Sequence, residues 1–107
     1  MIDEDKLREV VARYAELTER FCDPALLNDA KAYKEVSKER SNIEVLAAKA
    51  KEYLDAGEEM ATNKEELKTE TDSSMTQLYR EENVRLKHLQ EELAEEIRLL
   101  LLPRDPY

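Results

Sequence analysis

Leu86-Lys87-His88-Leu89-Gln90-Glu91-Glu92-Leu93-Ala94-Glu95-Glu96-Ile97-Arg98-Leu99-Leu100-Leu101-Leu102-Pro103 decides the fold class of this chain. Within it Leu86, Leu89, Leu93, Ile97 and Leu100 recur at spacings of three and four, which gathers them on one side of an α-helix. The same stripe runs back through Tyr79, Leu78 and Met75 to Asp72-Ser73-Ser74, where a helix start is expected. Pro103 and Pro106 stop the helix. Just before them, Leu99 to Leu102 make a full turn of apolar side chains. A helix with one buried stripe hides about half of such a turn. Leu99, Leu101 and Leu102 are therefore expected to form an exposed apolar patch facing a partner or a further domain.

Two more helices are legible upstream. Leu7, Val10, Val11, Tyr14, Leu17 and Phe21 form one stripe, with Asp3 as its cap and Asp23-Pro24 as its stop. After a second cap at Asn28-Asp29, Tyr33, Val36, Ile43, Leu46, Ala47, Ala50 and Leu54 form another, with Gly57 placed as a left-handed C-terminal cap. Between Gly57 and Ser74 the pattern fades. Residues 55–72 carry seven acids and two lysines, with Met60 and Leu67 the only large apolar residues. That segment is expected to be a solvated tip or frayed turn. At 1.5 Å per residue the second and third helices are each roughly 40 Å long and the first nearer 28 Å. The expected fold is all-α: an elongated three-helix antiparallel bundle built on a long helical hairpin.

Composition narrows the function classes. The 107 residues are 40% charged, hold one glycine and carry a formal net charge of −9. Leu, Ala, Glu, Lys and Arg dominate, as in long helices. The acidic balance argues against a general nucleic-acid binder or a sequence-specific DNA reader, since phosphate neutralisation needs a basic footprint. One cysteine rules out an intrachain disulfide, and a reducing cytoplasm fits. No apolar run reaches the roughly 18 residues of a spanning helix.

The chemistry-bearing residues point away from catalysis. Glu91-Glu92 and Glu95-Glu96 are expected on or beside solvated faces, where carboxylate pKa values stay ordinary. His88, the one histidine, lies about opposite the Leu86/Leu89/Leu93 stripe at 100° per residue and points to water. It lacks the second histidine or cysteine that a structural zinc site requires. Cys22 reads as a small, inert, partly buried thiol. One glycine excludes a glycine-rich phosphate loop. No catalytic, cofactor-binding or metal-ligating residue is assigned, and no cofactor is implied. Lys31, Lys34, Lys38 and Lys49 fall on one helical face, opposite Val36, Ile43 and Leu54. They are a solvated face or a small contact strip for RNA.

The segment Leu100-Leu101-Leu102-Pro103-Arg104-Asp105-Pro106 resembles the one that closes the first domain of bacterial class I peptide chain release factors of the release factor 1 branch. Asp23-Pro24, Asn28-Asp29, Tyr33-Lys34 and Ser37-Lys38-Glu39 resemble a second series in the same family. Leu27 stands where the release factor 2 branch usually has tryptophan, which favours the release factor 1 branch. Tyr107, where the family is usually acidic, and the polar 58–74 segment depart from the pattern. The resemblance implies a helical N-terminal domain over 1–102, with 103–107 starting a linker. It implies docking or regulation within a protein that ends translation at UAA and UAG. Implied partners are the ribosome at its large-subunit stalk base, the class II release-factor GTPase and the remainder of the chain. The codon-reading element and the Gly-Gly-Gln loop are not among these residues, so the chain is expected not to be an enzyme. The alternative is a free-standing coiled-coil adaptor dimerising through the third helix. Its seam Tyr79, Glu82, Leu86, Leu89, Leu93, Glu96, Leu100 is interrupted by acids twice, where sustained heptads are expected.

Overall fold

The computed structural model describes residues 2–102; the expected proline stop, the linker over 103–107 and Tyr107 lie outside the described residues. The chain is all-α. Its elements are α1 (Glu4–Arg20), a short α2 (Pro24–Leu27), α3 (Ala30–Thr69) and α4 (Ser73–Leu101). It divides into two compact units, one over Asp3–Lys51 and a second from Glu52 onward.

In the first unit, short side chains set the helix limits. Asp3 caps α1, its carboxylate accepting from the backbone N–H groups of Asp5 at 3.1 Å and Lys6 at 3.3 Å. That satisfies amides the helix cannot pair internally. Asp23 and Pro24 do more than stop α1. Asp23 accepts from the Ala25 N–H at 3.0 Å, and Pro24 opens the one-turn α2, where its missing N–H costs nothing. Asp29 then accepts from the Ala32 N–H at 3.0 Å and begins α3. Leu17, Leu26 and Val36 are buried together, with Phe21, Ala32 and Ile43 packed against them. Burying a leucine fully stabilises by about 1.5–3 kcal/mol, so Leu26 alone gives the four-residue α2 a reason to fold down.

The start of α3 runs antiparallel to α1, and polar contacts fix the pairing. Arg13 forks onto Glu39, Nη2 donating to Oε1 at 2.8 Å and Nε donating to Oε2. Arg40 lies over the rings of Tyr14, 4.8 Å from centroid, and Phe21, 5.6 Å, while its Nε donates to the Thr18 hydroxyl at 2.9 Å.

The second unit corrects the expected limit at Gly57. The α3 helix does not end there; it continues for 40 residues, about 60 Å at 1.5 Å per residue. Gly57 has no positive φ. One glycine costs a helix only about 1 kcal/mol relative to alanine, and Ala56, Glu58, Glu59, Met60 and Ala61 around it are good helix formers. Its bare Cα admits another side chain instead. A Cβ there would sit 3.0 Å from the Gln90 amide nitrogen, which donates to the Tyr53 carbonyl at 3.0 Å.

The expected loose tip over 58–74 is likewise helical to Thr69, leaving only residues 70–72 between helices. A polar pair pins this end. Asn63 is buried and donates to Asn83 Oδ1 at 2.8 Å, and Asn83 Nδ2 donates to the Met60 carbonyl at 3.3 Å. These partners pair residue 53 with 90 and 63 with 83, so the end of α3 and α4 form the antiparallel hairpin the sequence implied. Asp72 caps α4 as expected, accepting from the Ser74 N–H at 2.8 Å.

Along α4, Leu86, Leu93, Ala94 and Ile97 are buried. Leu78 is not; it is exposed, a departure from the expected stripe. At about 100° per residue it sits some 80° off Leu86, while Met75 and Tyr79, both half-buried, lie close to the Leu86 line. The helix ends at Leu101, and its cap Leu102 has an extended backbone (φ −68°, ψ 142°) that suits the residue before a proline.

Candidate functional site

The cap at Asp29 fixes the phase of α3 and so decides where its lysines point. Val36 and Ile43 turn into the apolar cluster. Lys34, Lys38 and Ser41, about 140–160° from Val36, and Ser37, about 100° from it, then face water. Together with Tyr33 and Asn42 they line an open surface hollow of about 510 Å³. Tyr33 is 42% exposed, its ring edge-on to Phe21 at 5.4 Å and 66°. Lys31 is exposed one turn before Lys34.

Lys31, Lys34 and Lys38 have no ion-pair partner among the described residues. Lys6, Lys64 and Lys87 form no ion pair there either, while several other cations of this acidic chain are held. Arg8 pairs with Glu4 and Asp5, Arg85 with Glu82, Arg98 with Glu95 and Lys68 with Glu65. Lys49, the fourth lysine of the expected face, is half-buried and already engaged in an interaction of its own. The exposed strip is therefore three lysines, not four.

A second feature lies at the end of α4. Leu99 is 62% exposed, Leu100 42%, Leu101 42% and Leu102 61%. Leu99, Leu101 and Leu102 are thus exposed, and Leu100 is exposed with them although it lies about 20° from the line of buried Leu93. A third is an apolar hollow of about 500 Å³ lined by Val11, Tyr14, Ala15, Glu44, Ala47, Ala48 and Lys51.

The remaining candidates carry no arrangement for chemistry. His88 is exposed, 3.9 Å from Glu91. Glu91, Glu92, Glu95 and Glu96 are all exposed. Cys22 is exposed, not partly buried as expected, because it follows the end of α1 in the turn before α2. Among the described residues, no three His, Cys, Asp or Glu side chains could jointly hold a metal ion. Among them, too, no helix is long and apolar enough to cross a membrane.

Perturbed ionisation belongs to paired side chains. Hydrogen bonding from Arg13 holds the Glu39 carboxyl below its ordinary value, outweighing an opposing desolvation. The Arg13 guanidinium is raised in turn, chiefly by the Glu39 hydrogen bond. The Glu82 carboxyl is lowered by Arg85 in the same way. These are clasps within and between helices, and residue-pattern reading missed the Arg13–Glu39 and Arg40 contacts because their partners are remote in sequence.

Comparison with known proteins adds what the surface alone lacks. The model of the PCRF domain matches residues 10–107. The chain is 39% identical to peptide chain release factor 1 of Lactobacillus johnsonii, over 94% of the chain and 28% of that protein. With the protein of the same name from Lysinibacillus sphaericus the identity is 41%, over 95% and 28%. With that of Bacillus subtilis it is 36%, over 95% and 29%. The chain thus spans less than a third of the length of these relatives, and the match covers their N-terminal part. No solved structure matches. A family match that runs from α1 to the last residue, through the capped turns at Asp29 and Asp72, places this chain in the PCRF domain family.

Proposed function

We propose that this chain is the helical N-terminal domain, over residues 1–102, of a class I release factor that ends translation at UAA and UAG, and that it docks and regulates without reading codons. The observation that carries this is the PCRF match over 10–107, joined to relatives named release factor 1 at 36–41% identity. The 107 residues hold one glycine and hence no Gly-Gly-Gln loop. On this reading the domain works in the cytoplasm on the ribosome, near the large-subunit stalk base and together with the class II release-factor GTPase. It hydrolyses nothing itself and uses no cofactor. Residues 103–107 lead toward the rest of the polypeptide, and the exposed Leu99–Leu102 turn is the surface that this remainder covers.

A domain exchange tests the proposal. The corresponding N-terminal segment of the Bacillus subtilis factor is replaced with residues 1–107 of this chain, and peptide release is measured on ribosomes paused at each stop codon. The chimera is expected to release peptide at UAA and UAG and not at UGA, and to respond to the GTPase. The 107-residue chain alone is expected to release none. A well-folded chimera without activity at UAA and UAG, or codon-dependent release by the isolated chain, overturns the reading.

A further inference from the structure

We propose that the outward face of the first turns of α3, carrying Lys31, Lys34 and Lys38 beside Tyr33, Ser37, Ser41 and Asn42, binds the phosphate backbone of RNA. The proposal rests on the release-factor reading for its setting and names a contact surface within it. Three observations carry it.

The first is charge. In a chain of net charge −9, these three lysines are exposed, without an ion-pair partner among the described residues, and gathered on one helix face over 31–38, whereas Lys6, Lys64 and Lys87, which form no ion pair there either, stand apart in sequence. An ammonium on a flexible stem with no internal partner is free to neutralise an external anion.

The second is the chemistry of the hollow. Its lining, Tyr33, Lys34, Ser37, Lys38, Ser41 and Asn42, contains no carboxylate. Lysine, hydroxyl and amide groups are the side chains that donate to phosphate oxygens. An acidic protein segment would satisfy the lysines equally, but RNA also uses the half-exposed Tyr33 ring. That ring is braced by Phe21 and offers a stacking surface for a base.

The third is spacing. The lysines rise along the helix by about 4.5 Å and then about 6 Å, short enough for their long side chains to reach successive phosphates of one strand. The neighbouring Glu35 is exposed and makes no ion pair with Lys31, Lys34 or Lys38 among the described residues.

The test measures binding of the 107-residue chain to large ribosomal subunits as salt is raised. With three phosphates neutralised, affinity should fall by about 20- to 40-fold between 50 and 200 mM monovalent salt. In Lys31→Gln/Lys34→Gln/Lys38→Gln the fall should be nearly absent, with an unchanged melting temperature. An aryl-azide probe on Cys22→Ser/Ser41→Cys should crosslink to RNA. An equal salt dependence in both proteins, no salt-dependent binding by the native chain, or crosslinks confined to protein overturns the proposal. A chimera that terminates normally while the salt slope ignores the lysines sinks only this surface. A chimera that fails while the RNA crosslink persists sinks the parent reading instead.

Discussion

Arg13 and Arg40 show how single residues fasten α3 to α1. The Glu39 carboxyl is lowered from its ordinary value of 4.5 because Arg13 donates to it. A depressed folded-state pKa stabilises the fold above the unfolded value and loses that contribution as pH falls through the folded one. Native protein and Glu39→Gln should thus differ by a constant amount of stability from neutral pH down to about 5, and converge below 4.5. Urea titrations across that range check it; a gap that widens in acid contradicts the assignment. Arg40 acts through shape as much as charge, stacked over two rings while donating to Thr18. Arg40→Lys keeps the charge but loses the planar stack, and should cost about 1 kcal/mol. Neither contact was legible in the sequence, because Arg13 and Glu39 meet only after two turns of chain reverse direction. The caps at Asp3, Asp29 and Asp72 were legible, because an aspartate reaches backbone amides two or three residues away wherever the rest of the chain lies. Cys22 was misread for the converse reason: its exposure depends on α2, a single turn too short to leave a periodic signal.

At the scale of elements, the length of α3 is the main result that local pattern did not supply. A lone glycine after an apolar stripe signals a C-terminal cap by frequency. What Gly57 does is decided instead by Gln90 on the facing helix. The two residues should be coupled. Gly57→Ala gains helix propensity worth up to about 1 kcal/mol but pushes on the Gln90 amide. It should stabilise more in a Gln90→Ala background than in the native one, by about 0.5–1.5 kcal/mol, the value of a hydrogen bond. Additive effects would mean that Gln90 moves aside freely and that the close approach is incidental. The hairpin end has its own marker in Asn63 and Asn83. Asn63→Ala leaves Asn83 short of a donor in a half-buried place and should cost about 1–3 kcal/mol. Replacing both with leucine should recover much of that. A loss in the double variant as large as in the single one would show that the pair holds the helices by more than mutual satisfaction. The polar 55–72 composition suggested fraying because its acids were counted. Asp55, Glu58, Glu59, Glu65 and Glu66 line the exposed outside of α3, whose inner positions are Ala56, Met60, Asn63 and Leu67, and Asp72 caps α4.

For the molecule as a whole, the exposed turn Leu99–Leu102 separates the two readings the sequence allowed. A free-standing adaptor would use it as part of a dimer seam, whereas a domain of a longer protein would cover it with its own chain. Burial and exposure along α4 favour the second. The buried positions Leu86, Leu93 and Ile97 do not extend into the leucine turn, all four of whose residues are exposed, Leu100 included. A seam would need Leu86 and Leu93 free to meet a second copy, and both are already buried within the chain. Burying two such side chains fully would be worth roughly 1.5–3 kcal/mol each, and association spends much of this on lost translational and rotational freedom. The isolated chain should therefore self-associate weakly, and sedimentation velocity over rising concentration should show a monomer that shifts only at the highest loadings. Leu99→Glu and Leu101→Glu should each abolish that shift and leave the melting temperature unchanged, since surface substitutions usually stay within about 0.5 kcal/mol. A tight dimer that either variant splits into unfolded monomers would mean that the leucines are structural and would restore the adaptor. A lower melting temperature in both variants without any dimer would instead show that the turn packs against the domain itself, leaving no apolar surface for the rest of the polypeptide to cover.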